Sequence, residues 1–218
     1  MGSITRGLSN NITTGGVILP AGITNSSVSA VTSFANASCG TLILLSTQTA
    51  SNSATISFTT GLDSTYDMYE FKFINIKAGT DNTNFLFNAS TDSGSNYNVT
   101  KTTTYFFSYH NEIDSDVGLV YGADHDLAQS TAFQIVHREL GNGSDENGVG
   151  SLQIYNPSST TYVKHFIANM NISSQHDYSI ESFMAGYCNT TSAINAIQFK
   201  MSSGNFDGII KLYGVKKS

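Results

Sequence analysis

One of the chain's five histidines, His125, stands between Asp124 and Asp126. A histidine flanked by carboxylates reads as a metal ligand set or an acid–base pair, or as a solvated loop or helix cap. His137 and His165 sit in strand-like runs beside apolar neighbours, where hydrogen-bonded structural histidines are expected. Oxygen-rich turns offer a second chemistry, because Ca²⁺ takes carboxylate, hydroxyl and amide oxygens from loops. Three segments qualify: Asp92 with Ser93, Ser95 and Asn96; Asp114 with Asp116; and Asn142, Ser144, Asp145, Glu146 and Asn147. None has the helix-flanked spacing with a closing Glu, and turn formation explains each as well as a metal does. A glycan depolymerase would need paired carboxyl groups about 5–9.5 Å apart. Asp63 with Asp67, or Asp114 with Asp116, are the pairs available, and neither is distinguished from a turn. The sequence holds no Gly-x-Ser-x-Gly elbow, phosphate-binding loop, dinucleotide fingerprint or His-Glu-x-x-His. The expectation is a protein with no catalytic residues, no metal ligands and no cofactor, and so not an enzyme.

Composition points the same way. Only 12% of the 218 residues are charged, while Ser, Thr and Asn supply roughly a third of the chain. Those polar side chains compete for backbone hydrogen bonds in helices, and Thr suits strands. A net charge of -6, with ten basic residues spread thinly, lacks the basic clustering of a nucleic-acid binder. The one local group, Lys211, Lys216 and Lys217, reads as a solubilising end. The longest apolar run, Leu42 to Leu45, is strand-sized, so no membrane span is expected. Polar residues follow Arg6 where a signal peptide needs an apolar stretch, and Arg6 stands where a myristoylation motif wants Ser or Thr. The protein is expected to be made in a cytoplasm without a cleaved signal. Two cysteines, Cys39 and Cys188, are too few for a disulfide scaffold and are expected to be reduced and buried. Asn-x-Ser/Thr triplets, such as those at Asn36, Asn88, Asn98 and Asn171, arise by chance in so polar a chain.

The elements that must carry these residues fall into an arm and a body. Residues 1–38 form an Ala/Ser/Thr/Asn-rich tract with Phe34 as the lone aromatic, too apolar-poor to offset its own ordering. It reads as a flexible tail or as an extended N-terminal arm that orders against a partner, with Val17-Ile18-Leu19-Pro20 as anchor. Residues 39–218 show short strand candidates separated by turn residues. These are Thr41–Thr47, Ala54–Thr59, Tyr66–Ile76, Asn84–Asn88, Asn98–Tyr109, Phe133–His137, Ser151–Tyr155, Tyr162–Ile172, Tyr178–Tyr187, Ala193–Met201 and Gly208–Tyr213. In Tyr66–Ile76, Tyr69, Phe71 and Phe73 share one face, and Met68, Glu70, Lys72, Ile74 and Ile76 the other. Gly61-Leu62-Asp63, Gly141-Asn142-Gly143, Asn156-Pro157 and Ser203-Gly204-Asn205 supply turns, and Asp124–Ala132 is a candidate short helix. The spacing predicts an all-β fold, an antiparallel β-sandwich of jelly-roll-like type with the arm attached. Strands do not alternate with long helical segments, and no heptad or collagen repeat marks a fibrous stalk. Eleven Tyr and thirteen Phe without Trp must mostly fill the sandwich core. Loop tyrosines such as Tyr97 and Tyr109 are left to stack on a sugar or to enter a protein interface.

Three stretches together carry a family resemblance. They are Leu45-Ser46-Thr47-Gln48-Thr49-Ala50-Ser51 through Gly61-Leu62-Asp63-Ser64-Thr65-Tyr66-Asp67; Gly141-Asn142-Gly143 through Leu152-Gln153-Ile154-Tyr155-Asn156; and Ile197-Gln198-Phe199-Lys200-Met201 into Ile210-Lys211-Leu212-Tyr213-Gly214. Their order resembles a family of bacteriophage virion proteins common in marine and cyanobacterial phages. The opening Ile4-Thr5-Arg6-Gly7-Leu8-Ser9-Asn10-Asn11-Ile12 resembles the start of such proteins. Phe206-Asp207-Gly208 departs from the small-residue turn that usually precedes Lys-Leu-Tyr-Gly there. The resemblance implies a virion structural protein, made in a bacterial host and present in many copies as a homotrimer, with no catalytic residues to carry over. Its size, one compact domain plus one arm, favours a capsid decoration or cement protein. A tail-fibre or receptor-binding module that touches a host surface glycan is the alternative. On the decoration reading, Arg6, Leu8, Ile12, Val17, Ile18 and Leu19 form an assembly arm against the major capsid protein or a neighbouring copy. Neither nucleic acid nor a membrane is an expected partner.

Overall fold

The structure, a computed structural model, describes residues 42–215 and two short strands before them. Contacts divide the chain into two compact units, Met1–Cys39 and Gly40–Ser218. In the first, β1 (Ile12–Thr13) pairs antiparallel with β2 (Gly16–Val17), placing Ile12 opposite Val17. Of the expected assembly arm, Arg6, Leu8, Ile18 and Leu19 lie outside the described residues.

The second unit is built from strands alone among its described residues. They are β3 (Leu42–Ser53), β4 (Thr55–Phe58), β5 (Met68–Ala78), β6 (Thr83–Ser90), β7 (Lys101–Asn111) and β8 (Val117–Tyr121). There follow β9 (Gln134–Leu140), β10 (Gly148–Tyr155), β11 (Lys164–Ser173), β12 (Tyr178–Cys188), β13 (Ala196–Met201) and β14 (Phe206–Val215). An eight-stranded sheet runs β3-β14-β5-β10-β11-β12-β7-β8, and a four-stranded sheet runs β4-β13-β6-β9. All pairings are antiparallel, and the two sheets pack face to face as a β-sandwich. Every connection changes sheet except β7–β8 and those within β10–β12. That is a jelly-roll-like course in which a three-stranded meander, β10–β12, stands where a single strand would suffice.

Period-two alternation decides which residues enter the core. In β11 every second residue from Lys164 to Ile172 is buried, and in β12 Ile180, Ser182 and Met184 are. Phenylalanines from both sheets interlock at the centre. Phe199 of β13 meets Phe71 and Phe73 of β5 edge-on at 5.2 Å and stacks on Phe85 of β6 at 5.8 Å. Phe87 and Phe166 join the sheets again at 5.1 Å. These offset and edge-to-face contacts add to the burial of large apolar area, the main favourable term for the fold.

Two expectations are corrected. Strict alternation puts Ile76 with the outward residues of β5, but it is fully buried. Asn75, with φ 52°, adopts the left-handed conformation and inserts a bulge, and both flanking ladders shift register there. One extra residue reverses the alternation, so Ile76 and Ala78 face inward. The segment Asp124–Ala132 is not a helix. Its backbone is taken up by the start of β7: Lys101 N–H donates to Ser130 O, Ser130 N–H to Lys101 O, and Thr103 N–H to Leu127 O. Hydroxyls of Thr103 and Thr102 accept from Leu127 N–H and Gln129 N–H. Groups that serve the sheet in this way cannot close helical turns.

Candidate functional site: an exposed apolar edge and an aromatic outer face

The residues singled out for chemistry are mostly consumed by structure. The His125 ring stacks on Tyr105 at 5.2 Å, and burial with the nearby Arg138 lowers its pKa. Asp126 accepts from Tyr121 Oη, so the Asp–His–Asp sequence does not converge on one point. His137 is fully buried between Arg138 O and Ile180 O and is structural, as expected. His165 instead faces outward beside Tyr187. Among the described residues, no cluster of three or more His, Cys, Asp or Glu could hold a metal. In the oxygen-rich turns, Asp92 accepts from Ser90 Oγ and from the backbone and side chain of Asn96. Those bonds hold its pKa at about 2, and they are the bonds of a closed turn. Glu146 folds back on Gly143 N–H, and Asp114 pairs with the His110 ring across its own turn. Asp63 accepts from Thr65 N–H and Tyr69 Oη, which lower its pKa. Cys188 is a buried free thiol, and Cys39 lies outside the described residues. Tyr97 is half-buried, and Tyr109 belongs to β7, not to a loop.

What stands out is a surface with no local sequence signal. At one end of the large sheet, β8 is an edge strand reading Val-Gly-Leu-Val-Tyr. Val117, Leu119 and Tyr121 on it are 64%, 72% and 56% exposed, and Ile113 in the preceding turn is 80% exposed. An unpaired edge with such side chains and neither Lys nor Pro is a template for pairing with another chain. The Tyr109 ring lies over Gly118, where a Cβ would come within 2.6 Å of Cζ and force the ring to shift.

The outer face of β7, β12 and β11 continues the apolar surface. Register pairs Tyr121 with Phe106 and Phe106 with Phe183, whose rings stack at 4.9 Å in the open. Next to this ridge, Thr104, Ala185 and Ile167 form the low floor of a groove, closed on its far side by Tyr187 and His165. The groove is lined by aromatic faces, hydroxyls and one amide, Asn169, without a carboxylate, lysine or arginine.

A third feature is the cleft of about 380 Å³ between the edges of the two sheets, where β8 faces β9. Phe107, Val120 and Ile180 line it, with Asp116, Arg138 and Glu139 among its charged groups. The Arg138 guanidinium lies 4.5 Å over the Phe107 ring and pairs with Glu139. Glu139 has φ 55°, a left-handed conformation uncommon for this residue type. Tyr178 Oη donates to Asp116 Oδ2 at 2.9 Å. The cleft is of mixed character, with Tyr109, Ser174, His176 and Tyr178 beside its apolar residues, and the buried Nε of Arg138 has no hydrogen-bond partner. No family model, no curated protein and no solved structure matches this chain.

Proposed function

We propose that the protein is a structural component of a bacteriophage particle, displayed on the capsid as a decoration subunit. The observation that carries this reading is the run of exposed large apolar side chains along β8 and onto β7 and β12. A chain with so few charges, and with such side chains gathered on one edge, is built to be covered by protein. The virion-like stretches from Leu45 to Gly214 supply the class of assembly, and the particle surface is the proposed location. The proposed partners are the major capsid protein and further copies of this chain, as a homotrimer. A polar, weakly charged β-sandwich without a metal cluster among its described residues suits such a role. The test is deletion of residues 1–20, which is expected to abolish attachment to heads; unchanged head occupancy refutes the arm's role in decoration.

The groove between the Phe106–Phe183 ridge and Tyr187 favours a second reading, a tail-located module that binds a host surface glycan. Aromatic faces beside neutral hydrogen-bonding groups are what a sugar ring needs. Binding of the purified protein to intact host cells, competed by host polysaccharide, supports it. Failure to bind at micromolar protein counts against it.

A further inference from the structure

The interior holds a pair of groups that no assembly role accounts for. Lys101 opens β7 in the large sheet, and Asn88 lies in β6 of the small sheet; both are fully buried. Buried lysines are rare and normally paired with a carboxylate. The partners of Lys101 are instead neutral oxygens. Its Nζ meets Asn88 Oδ1 at 2.5 Å and Val99 O at 2.7 Å. With a C=O bond of about 1.2 Å, that contact holds Nζ within about 3.7 Å of the Asn88 carboxamide carbon, on the oxygen side, so attack requires the amine to swing off Oδ1 and over the carbonyl face.

The rest of the constellation is arranged around the carboxamide. Ala89 N–H donates to Asn88 Oδ1 at 2.8 Å, where negative charge would collect during attack. Asn88 Nδ2 donates to Tyr97 O at 2.6 Å and Thr131 O at 3.0 Å, two acceptors placed for a departing ammonia. The residue opposite Lys101 on β12 is Cys188, and opposite Cys188 on β11 is Lys164. Lys164 is occupied by Thr190 O and Ser192 O. Burial lowers the Lys101 pKa to about 8, which favours the neutral, nucleophilic amine, and pushes the Cys188 thiol up to about 11.

We infer that Lys101 and Asn88 join in an intramolecular isopeptide bond that staples the two sheets together. The neutral amine attacks the carboxamide carbon and forms the new C–N bond, and the carbonyl electron pair moves onto Oδ1. Collapse of the tetrahedral intermediate restores the carbonyl and breaks the bond to Nδ2. The proton lost by the attacking nitrogen passes to the departing one, which leaves as ammonia. Atoms and electrons balance with no oxidant or co-reactant. A cross-link of this kind would lock the sandwich of a protein whose one described cysteine is free.

Intact-mass spectrometry of the denatured full-length protein tests this directly. The expected mass is about 17 Da below that of the sequence, the loss of one ammonia. Trypsin then fails to cut after Lys101, and the peptide 78–138 is found about 17 Da light, with tandem spectra lacking backbone fragments from the loop between Asn88 and Lys101. The Lys101→Arg protein is expected at its full sequence mass. An unshifted wild-type mass overturns the inference. So does a loss of 17 Da in which Lys101 remains cleavable by trypsin, because that marks cyclisation of an asparagine alone.

Discussion

His137 gives the protein a pH dependence that can be worked out. The ring is fully buried, with Nδ1 2.6 Å from Arg138 O and Nε2 3.1 Å from Ile180 O. A neutral imidazole carries one N–H, which the shorter contact assigns to Nδ1. Burial disfavours the charged ring and outweighs the two carbonyls that would stabilise it, and the nearby Arg138 adds to the effect; the pKa falls from 6.5 to about 4. The folded state therefore binds fewer protons than the unfolded one between those values. Stability is complete above about pH 6.5 and declines as the pH falls toward 4. A tenfold difference in proton affinity is worth about 1.4 kcal/mol, so the loss approaches about 3 kcal/mol, a large share of a typical folding free energy. The assay is urea denaturation at intervals between about pH 7 and 4, comparing wild type with His137→Gln. His125, also lowered, adds to the slope in both proteins, so the difference between them reports His137 together with its interaction with His125. The Asp92 contribution is lost only lower, between 3.8 and about 2, outside the window. The wild type should lose stability more steeply by about 3 kcal/mol across the range. Equal slopes would refute the assignment of a buried neutral imidazole.

Other consequences follow from the packing and the surface. Phe199→Ala, at the meeting point of rings from β5, β6 and β13, should cost about 3–5 kcal/mol and lower the melting temperature by about 10 °C in calorimetry. Asn75→Val places a β-branched residue at positive φ and should cost about 1–2 kcal/mol by urea denaturation. The double variant Val117→Lys, Leu119→Lys should fold normally by circular dichroism, since both side chains are exposed. It should reduce occupancy on particles about 30-fold or more, because burying two such side chains contributes about 2–4 kcal/mol.

The alternation of apolar and polar residues makes most of the strands legible, and with them the sandwich. Phe71, Phe73, Phe166 and Phe199 announce an inward face wherever apolar residues recur at every second position. The bulge at Asn75 is not legible, because a left-handed asparagine leaves no mark beyond its residue type, and it moves Ile76 into the core. Nor is the fate of Asp124–Ala132, whose amides are claimed by β7, a long-range choice that local propensity cannot register. Strand β8 is hidden because five residues that include a glycine look like a loop. The exposed surface is the least visible feature. It depends on β12 bringing Phe183 against Phe106 and Ile167 near Thr104, a product of register between strands far apart in sequence. The Lys101–Asn88 contact likewise joins strands of opposite sheets, and neither residue forms a motif with its neighbours.

The measurement that tests the proposed role most directly is antibody-gold electron microscopy of virus particles from the source culture. The account predicts label distributed over the heads, with tails bare. Label confined to tails would contradict decoration and turn attention to the groove. Unlabelled particles, with the protein present in the lysate, would contradict a place in the virion altogether.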